Sequence, residues 1–224
     1  MAKFEEIGTA SIPGSGGELR LLQRNDEFSI RIAGKTGELM NTRLHGSEDA
    51  LAELACERVA DRSGARVLVG GLGMGFTLAA ALKTLGEDAE VVVAELVPGV
   101  VEWNHGLLGD AAGRPLEDPR SRVSLGDVGE LLRREPGGFD AIMLDVDNGP
   151  EGLTQRENDW LYSPRGLAAA QQALRPDGVL AVWSAGPDPA FTERLRRVGL
   201  LVEEVTVRAH RAGKGAKHRI WLAY

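Results

Sequence analysis

One cysteine in 224 residues, Cys56, rules out a disulfide within the chain and fits a reducing cytosol. Its neighbours in "LAELACERVA" have helical spacing, which makes Cys56 a core residue rather than a nucleophile. No apolar run approaches the ~20 residues of a membrane helix, so the chain, 43% hydrophobic, reads as soluble with no membrane partner. The opening "MAKFEEIGTASIPGSGG" lacks the apolar core of a secretory signal, which predicts a cytoplasmic protein. An excess of positive charge is also missing. A net charge of −7 and a pI of about 5.2 oppose a nucleic-acid partner, because affinity for phosphate backbones comes from clustered Lys and Arg. The one basic cluster, "HRAGKGAKHR" at 210–219, is glycine-rich between strand-like stretches and reads as a solvated hairpin loop. No His, Cys and acid cluster has metal-ligand spacing, and no Gly-x-Ser-x-Gly elbow appears, so no metal and no serine hydrolase chemistry are expected.

What is present is an α/β pattern. At 24.0 kDa, one α/β domain with a small appendage accounts for the chain. Residues 1–17 end in "PGSGG" and read as a flexible lead-in. "ELRLLQ" and "EFSIRIA" flank "RND" as strand, turn and strand, and the short apolar "ELM" follows, giving a small antiparallel β-unit over 18–42. The expected division is a short N-terminal β-hairpin unit at 1–46 and a cofactor-binding domain at 47–224. "SEDALAELACERVA" reads as a helix with Ser47 as its N-cap. Strands and helices then alternate, from "RVLVG" through "EVVVAE", "RVSLG", "FDAIMLDV" and "GVLAVWSA", so a mostly parallel sheet with helices on both faces is expected. "LVEEVTVRA" and "HRIWLAY" have no helix between them and pair as an antiparallel hairpin. A parallel sheet ending in that hairpin resembles the Rossmann-like fold of class I AdoMet-dependent methyltransferases rather than that of the dinucleotide dehydrogenases.

The candidate site begins at "VLVGGLGMGF", residues 67–76, where a strand runs into glycines and then into a helix. Gly71, Gly73 and Gly75, with Leu72 and Met74 between them, let the backbone turn tightly beside a ligand. A dinucleotide fingerprint wants a small residue where Phe76 stands, which disfavours NAD, and no Gly-Lys-Ser/Thr follows, which excludes a P-loop. Glu95 ends the next strand, 24 residues after Gly71, where an acid can accept hydrogen bonds from ribose hydroxyls. Asp127, at the end of "VSLGD", either receives an adenine amino group or caps the helix "VGELLRR". Asp145 ends the fourth strand, where it could orient or deprotonate an acceptor amine or hydroxyl. Asp147 and Asn148 follow in a loop, Asp147 being either solvated or a substrate contact. "TRLHGSED" places His45 and Glu48 just before the cofactor domain, with His45 read as either a base or a packed loop residue. Trp160 and Tyr162 form either an apolar wall over the acceptor or ordinary core.

"VLVGGLGMGFTL", "VVVAELVPGVVEWN", "DPRSRVSLGD", "FDAIMLDVDNGPEG" and "LYSPRGLAAAQQALRPDGVLAVWSA" together resemble the spermidine synthase family, the polyamine aminopropyltransferases, over about 67–185. The resemblance implies an AdoMet-type nucleoside held by the Gly71–Gly75 turn, with Glu95 on ribose, Asp127 on adenine and Asp145 near the reacting amine. It also implies that His45 and Glu48 lie where the family places polyamine-binding residues.

Two departures carry weight. The family motif reads Gly-Gly-Gly-Asp-Gly-Gly, with the Asp on the amine of decarboxylated AdoMet; here that position is Met74, which cannot accept a charged hydrogen bond. The acceptor loop, Asp-Ser-Ser-Asp-Pro in the family, has its first acid at Asp145 and its second replaced by Asn148, with Asp147 one residue early. On this reasoning the expected cofactor is S-adenosyl-L-methionine, and the expected activity is a methyltransferase acting on a small, cationic acceptor. The alternatives are aminopropyl transfer from decarboxylated AdoMet and a non-catalytic nucleoside-binding protein. Edge strands and an apolar face on the β-unit point to a homodimer.

Overall fold

A computed structural model describes residues 3–14, 17–146, 160–210 and 214–224. Four strands, β1 (Glu5–Ser11), β2 (Glu18–Arg24), β3 (Glu27–Ile32) and β4 (Met40–Asn41), form an antiparallel sheet in the order β1-β2-β3-β4. β2 shows the expected alternation, with Leu19 and Leu21 turned into the core. β1 lies inside the segment read as a flexible lead-in. It is ordered by what it docks on: a Cβ built on Gly8 would come 2.9 Å from the Trp103 indole, and one on Gly99 would come 2.6 Å from the Cβ of Ala10. Such small-residue contacts leave no periodic trace in the sequence.

The remaining elements are α1 (Gly46–Cys56), β5 (Arg66–Gly70), α2 (Phe76–Thr84), β6 (Glu90–Glu95), α3 (Pro98–His105), α4 (Leu107–Ala111), β7 (Ser121–Leu125), α5 (Val128–Arg134), β8 (Phe139–Leu144), α6 (Pro164–Ala173), β9 (Leu174–Ser184), α7 (Pro189–Arg197), β10 (Val202–His210) and β11 (Lys214–Ala223). Seven strands make the second sheet, ordered β10-β11-β9-β8-β5-β6-β7. β7, β6, β5, β8 and β9 are parallel, and β11 and β10 run antiparallel at the end. This is the expected class I methyltransferase-like arrangement. β5, β6 and β8 are buried almost throughout, as parallel strands covered on both faces must be.

The chain builds outward from β5 through β6 to β7, then crosses to β8 on the other side of β5. The carboxyl ends of β5 and β8 therefore meet at a topological switch point, where open α/β sheets bind ligands.

Two local expectations need correction. Ser47 does not cap α1: the cap position is His45, without a side-chain cap bond, and Ser47 lies buried in the first turn with its hydroxyl bonded elsewhere. The basic cluster is not mainly a loop either. Strand pairing continues to His210 opposite Lys214, so Lys214, Lys217, His218 and Arg219 sit on β11, because the hairpin's ladder outweighs local glycine content. Among the described residues, no helix is long and apolar enough to cross a membrane.

Candidate functional site

A cavity of about 400 Å³ opens over the switch point, walled by the glycine turn, by the ends of β6 and β8, by the first turn of α1 and by the N-terminal sheet. Its floor is built by backbone geometry. The amide of Gly71 donates to the Ala94 carbonyl at 2.8 Å, and that of Asp145 donates to the Gly70 carbonyl at 2.9 Å, which ties β5 to both neighbours. Gly71 has φ +93°, and a Cβ there would come 2.5 Å from the carbonyl oxygen of Asp145. Only glycine permits this approach. Asn104, which sequence reasoning passed over, donates through Nδ2 to the Gly73 carbonyl and to that of Val100, both at 2.9 Å, and so locks the turn onto α3. Gly75, with φ +85°, occupies the N-cap position of α2.

Glu95 lies where predicted and is held rigidly. One carboxylate oxygen accepts from Leu72 N at 2.9 Å and the other from Val97 N at 2.8 Å. Burial pushes its pKa up, against those amides. The Gly73 and Leu96 amides also bond this carboxylate, and Glu95 lines the cavity. Asp127 caps α5, accepting from Glu130 N at 2.8 Å, and it also lines the cavity. Met74 is 3% exposed, part of the core and also on the cavity wall.

At the other end, Asp145 accepts from the Thr77 hydroxyl at 2.5 Å, Thr77 being in the first turn of α2. Burial raises Asp145 to about 6, the Thr77 bond opposing. Glu48 lines the same cavity from α1 and is pushed up to about 7, by burial first and by the Asp145 charge second. Two carboxylates, far apart in sequence, thus face one space and resist being charged together.

Other predicted residues fall elsewhere. His45 does not line the cavity; it stacks on Phe76 with centroids 4.0 Å apart and an interplanar angle of 9°, and its Nδ1 meets Asp49 at 2.8 Å. It joins the starts of α1 and α2. Tyr162 is core, 2% exposed, edge-on to Phe191, and its hydroxyl donates to the Val146 carbonyl at 3.2 Å, behind the cavity wall. This is the core reading of the two the sequence leaves open, since wall and core residues have the same apolar pattern. Trp160 lies under the Arg133 guanidinium at 4.4 Å. Asp147 and Asn148 lie outside the described residues. Thr77, Ser47, Trp183 and His218 were not anticipated as part of this region; no local motif marks them. Among the described residues no group of three or more His, Cys, Asp or Glu side chains could hold a metal ion.

A class I methyltransferase-like sheet with a nucleoside-sized cavity at its switch point, carrying an acid at each of three strand ends, defines the class. The chain belongs to the spermine/spermidine synthase domain family, whose family model matches residues 50–193. The polyamine aminopropyltransferases of Mycobacterium tuberculosis and Mycobacterium bovis are each 34% identical to it over 128 residues, 55% of this chain and 24% of theirs. The match thus takes in about a quarter of the length of those curated relatives. Two solved structures share the fold at 18% identity, each over 99% of this chain and 73% of the other: a spermidine synthase from Thermotoga maritima, with a TM-score of 0.75, and a spermidine synthase in complex with the transition-state analogue AdoDATO, with a TM-score of 0.74.

This family membership, with relatives named as aminopropyltransferases, overturns the expectation of a methyltransferase using plain AdoMet. That expectation leaned on the acids missing at Met74 and Asn148. It gave too little weight to Glu48, a residue expected beside His45 to face the cleft, which α1 carries to the cavity wall that Asp145 also lines.

Proposed function

We propose that this chain transfers an aminopropyl group from decarboxylated AdoMet to a primary amine of the polyamine type. The observation that carries the reading is the carboxylate pair Glu48 and Asp145 in one cavity with the glycine turn and Glu95. An amine acceptor arrives as a cation and must lose a proton before its lone pair can attack carbon. A carboxylate whose pKa is raised toward neutrality serves both needs, attracting the cation when ionised and accepting a proton near operating pH. At the donor end, Glu95 and Asp127 would receive the ribose hydroxyls and the adenine amino group, while the turn at Gly71–Gly75 leaves room for the sulfonium. Family membership and the named relatives support the same chemistry.

The test sets the two donors side by side. Calorimetry should show tighter binding of decarboxylated AdoMet than of AdoMet, and incubation of the former with 1,4-diaminobutane should release methylthioadenosine together with a triamine. Tighter binding of AdoMet, with no triamine formed, would overturn the reading.

A further inference from the structure

The hydrogen bonds around Glu48 extend beyond the cavity. The Ser47 hydroxyl donates to Glu48 Oε2 at 2.6 Å, and the same oxygen of Ser47 meets His218 Nδ1 at 2.8 Å. Ser47 is fully buried, and His218 is held edge-on against Trp183, itself on the cavity wall, with centroids 4.9 Å apart. The C-terminal hairpin thus buttresses the start of α1 from behind. Asp145 is restrained by the Thr77 hydroxyl on α2. Each carboxylate thus has its own hydroxyl donor, and both line the same cavity.

We propose that Glu48 and Asp145 together form the site for one ammonium group of the amine acceptor, with Ser47 and His218 as positioning residues that aim Glu48. The second acid that the family draws from its acceptor loop is here supplied by α1. For its chemical step the proposal rests on aminopropyl transfer; for amine binding it does not. In that step the bound R–NH₃⁺ gives one proton to Glu48. The freed lone pair attacks the methylene carbon of the sulfonium, the C–S bond breaks with its electron pair going to sulfur, and the new secondary amine leaves as a cation beside a neutral thioether. One proton is released overall, from Glu48 to solvent after the product departs.

Among the described residues, the charged and titratable groups beside Glu48 or on the wall of its cavity are His45 and Asp49 near the start of α1, Asp145 after β8, His218 on β11, Lys35 after β3, and Glu95 and Asp127 at the ends of β6 and β7. His45 and Asp49 bond each other. The Ser47 bond lowers the Glu48 pKa, so its removal should raise it. An ammonium binds best when both carboxylates are ionised, hence affinity should rise with pH through the range in which the pair loses its protons.

The experiment measures 1,4-diaminobutane binding by calorimetry between about pH 5 and 9, with methylthioadenosine present, on the full chain and on Glu48→Gln, Ser47→Ala and Ser47→Thr. Glu48→Gln should weaken diamine binding roughly tenfold or more at pH 8 while leaving methylthioadenosine affinity intact, which also certifies its folding. Ser47→Ala should move the midpoint of the pH dependence upward, and Ser47→Thr, which restores a hydroxyl, should return it. A diamine affinity and pH midpoint unchanged in Glu48→Gln, or a wild-type chain that binds no diamine at any pH, overturns the proposal. The two readings fail separately. Glu48-dependent diamine binding without triamine formation would remove aminopropyl transfer and keep the carboxylate pair. Triamine formation with a wild-type KM for the diamine in Glu48→Gln would do the reverse.

Discussion

At the scale of single residues, Met74 is the sharpest departure in the site. Its thioether is buried in the glycine turn and on the cavity wall, where it can offer an aminopropyl ammonium only a weak acceptor. Met74→Asp tests how that end of the cavity is used. If the turn faces the aminopropyl tail, a carboxylate there adds a charged hydrogen bond worth about 1.5–3 kcal/mol, so decarboxylated AdoMet should bind roughly tenfold to a hundredfold more tightly. AdoMet, which bears its own carboxylate, should bind more weakly. The ligand-free variant should melt lower than wild type, because a carboxylate is then buried without a partner. Calorimetry on both donors checks this; unchanged affinity for both would mean that the tail points away from residue 74. Gly71 is legible in the sequence for a physical reason, since no other residue tolerates both φ +93° and a carbonyl 2.5 Å from its Cβ position. Glu48 is less so. Nothing local shows that an acid at residue 48 will meet one at residue 145.

At the scale of elements, Asp127 is one side chain that caps a helix and also lines the cavity. Serine caps a helix about as well as aspartate but is too short to reach into the cavity, so Asp127→Ser separates the roles. It should keep the thermal stability and lose roughly tenfold in donor affinity, at ~1.4 kcal/mol per lost contact. Asp127→Ala should lose the cap as well, costing about 1 kcal/mol in urea unfolding. Full donor affinity in Asp127→Ser would leave Asp127 a cap alone. The same distinction explains what could be read in advance. β5, β6, β8 and β9 are apolar runs bounded by turn residues, and their alternation with helices dictates a parallel sheet whose strand ends carry Glu95, Asp127 and Asp145. β1 and the first half of β11 were misjudged because their pairing depends on partners: β1 docks on α3 through glycines, and the basic part of β11 is ordered by β10. For Tyr162 and His45 the sequence left a cleft-facing and a packed reading open, since an aromatic ring beside a cavity and one beneath its wall have the same signature, and the structure packs both rings.

At the scale of the whole molecule, the carboxylate pair should be visible as a pH dependence of stability. Burial raises Glu48 from 4.5 to about 7 and Asp145 from 3.8 to about 6, so the folded chain retains protons that the unfolded chain has already lost. Stability from this source is complete below the unfolded values and declines as pH rises through the folded ones. Asp140 acts in the opposite sense. Its burial is outweighed by the Arg66 amide and by Arg62 and Arg175, which hold it below the usual range, so its contribution disappears only as pH falls toward the acid limit. The two limbs leave a maximum on the acid side of neutrality. Glu48→Gln removes one member of the raised pair and relieves the other, so urea unfolding should show the variant gaining on wild type as pH rises from about 5 to 8. Adding 1,4-diaminobutane at the upper pH should stabilise wild type more than the variant, because a cation between the carboxylates offsets their repulsion and binds only the folded chain. Parallel pH profiles for the two proteins would show that Glu48 and Asp145 do not share their charge, and a diamine effect equal in both would place the cation elsewhere in the cavity.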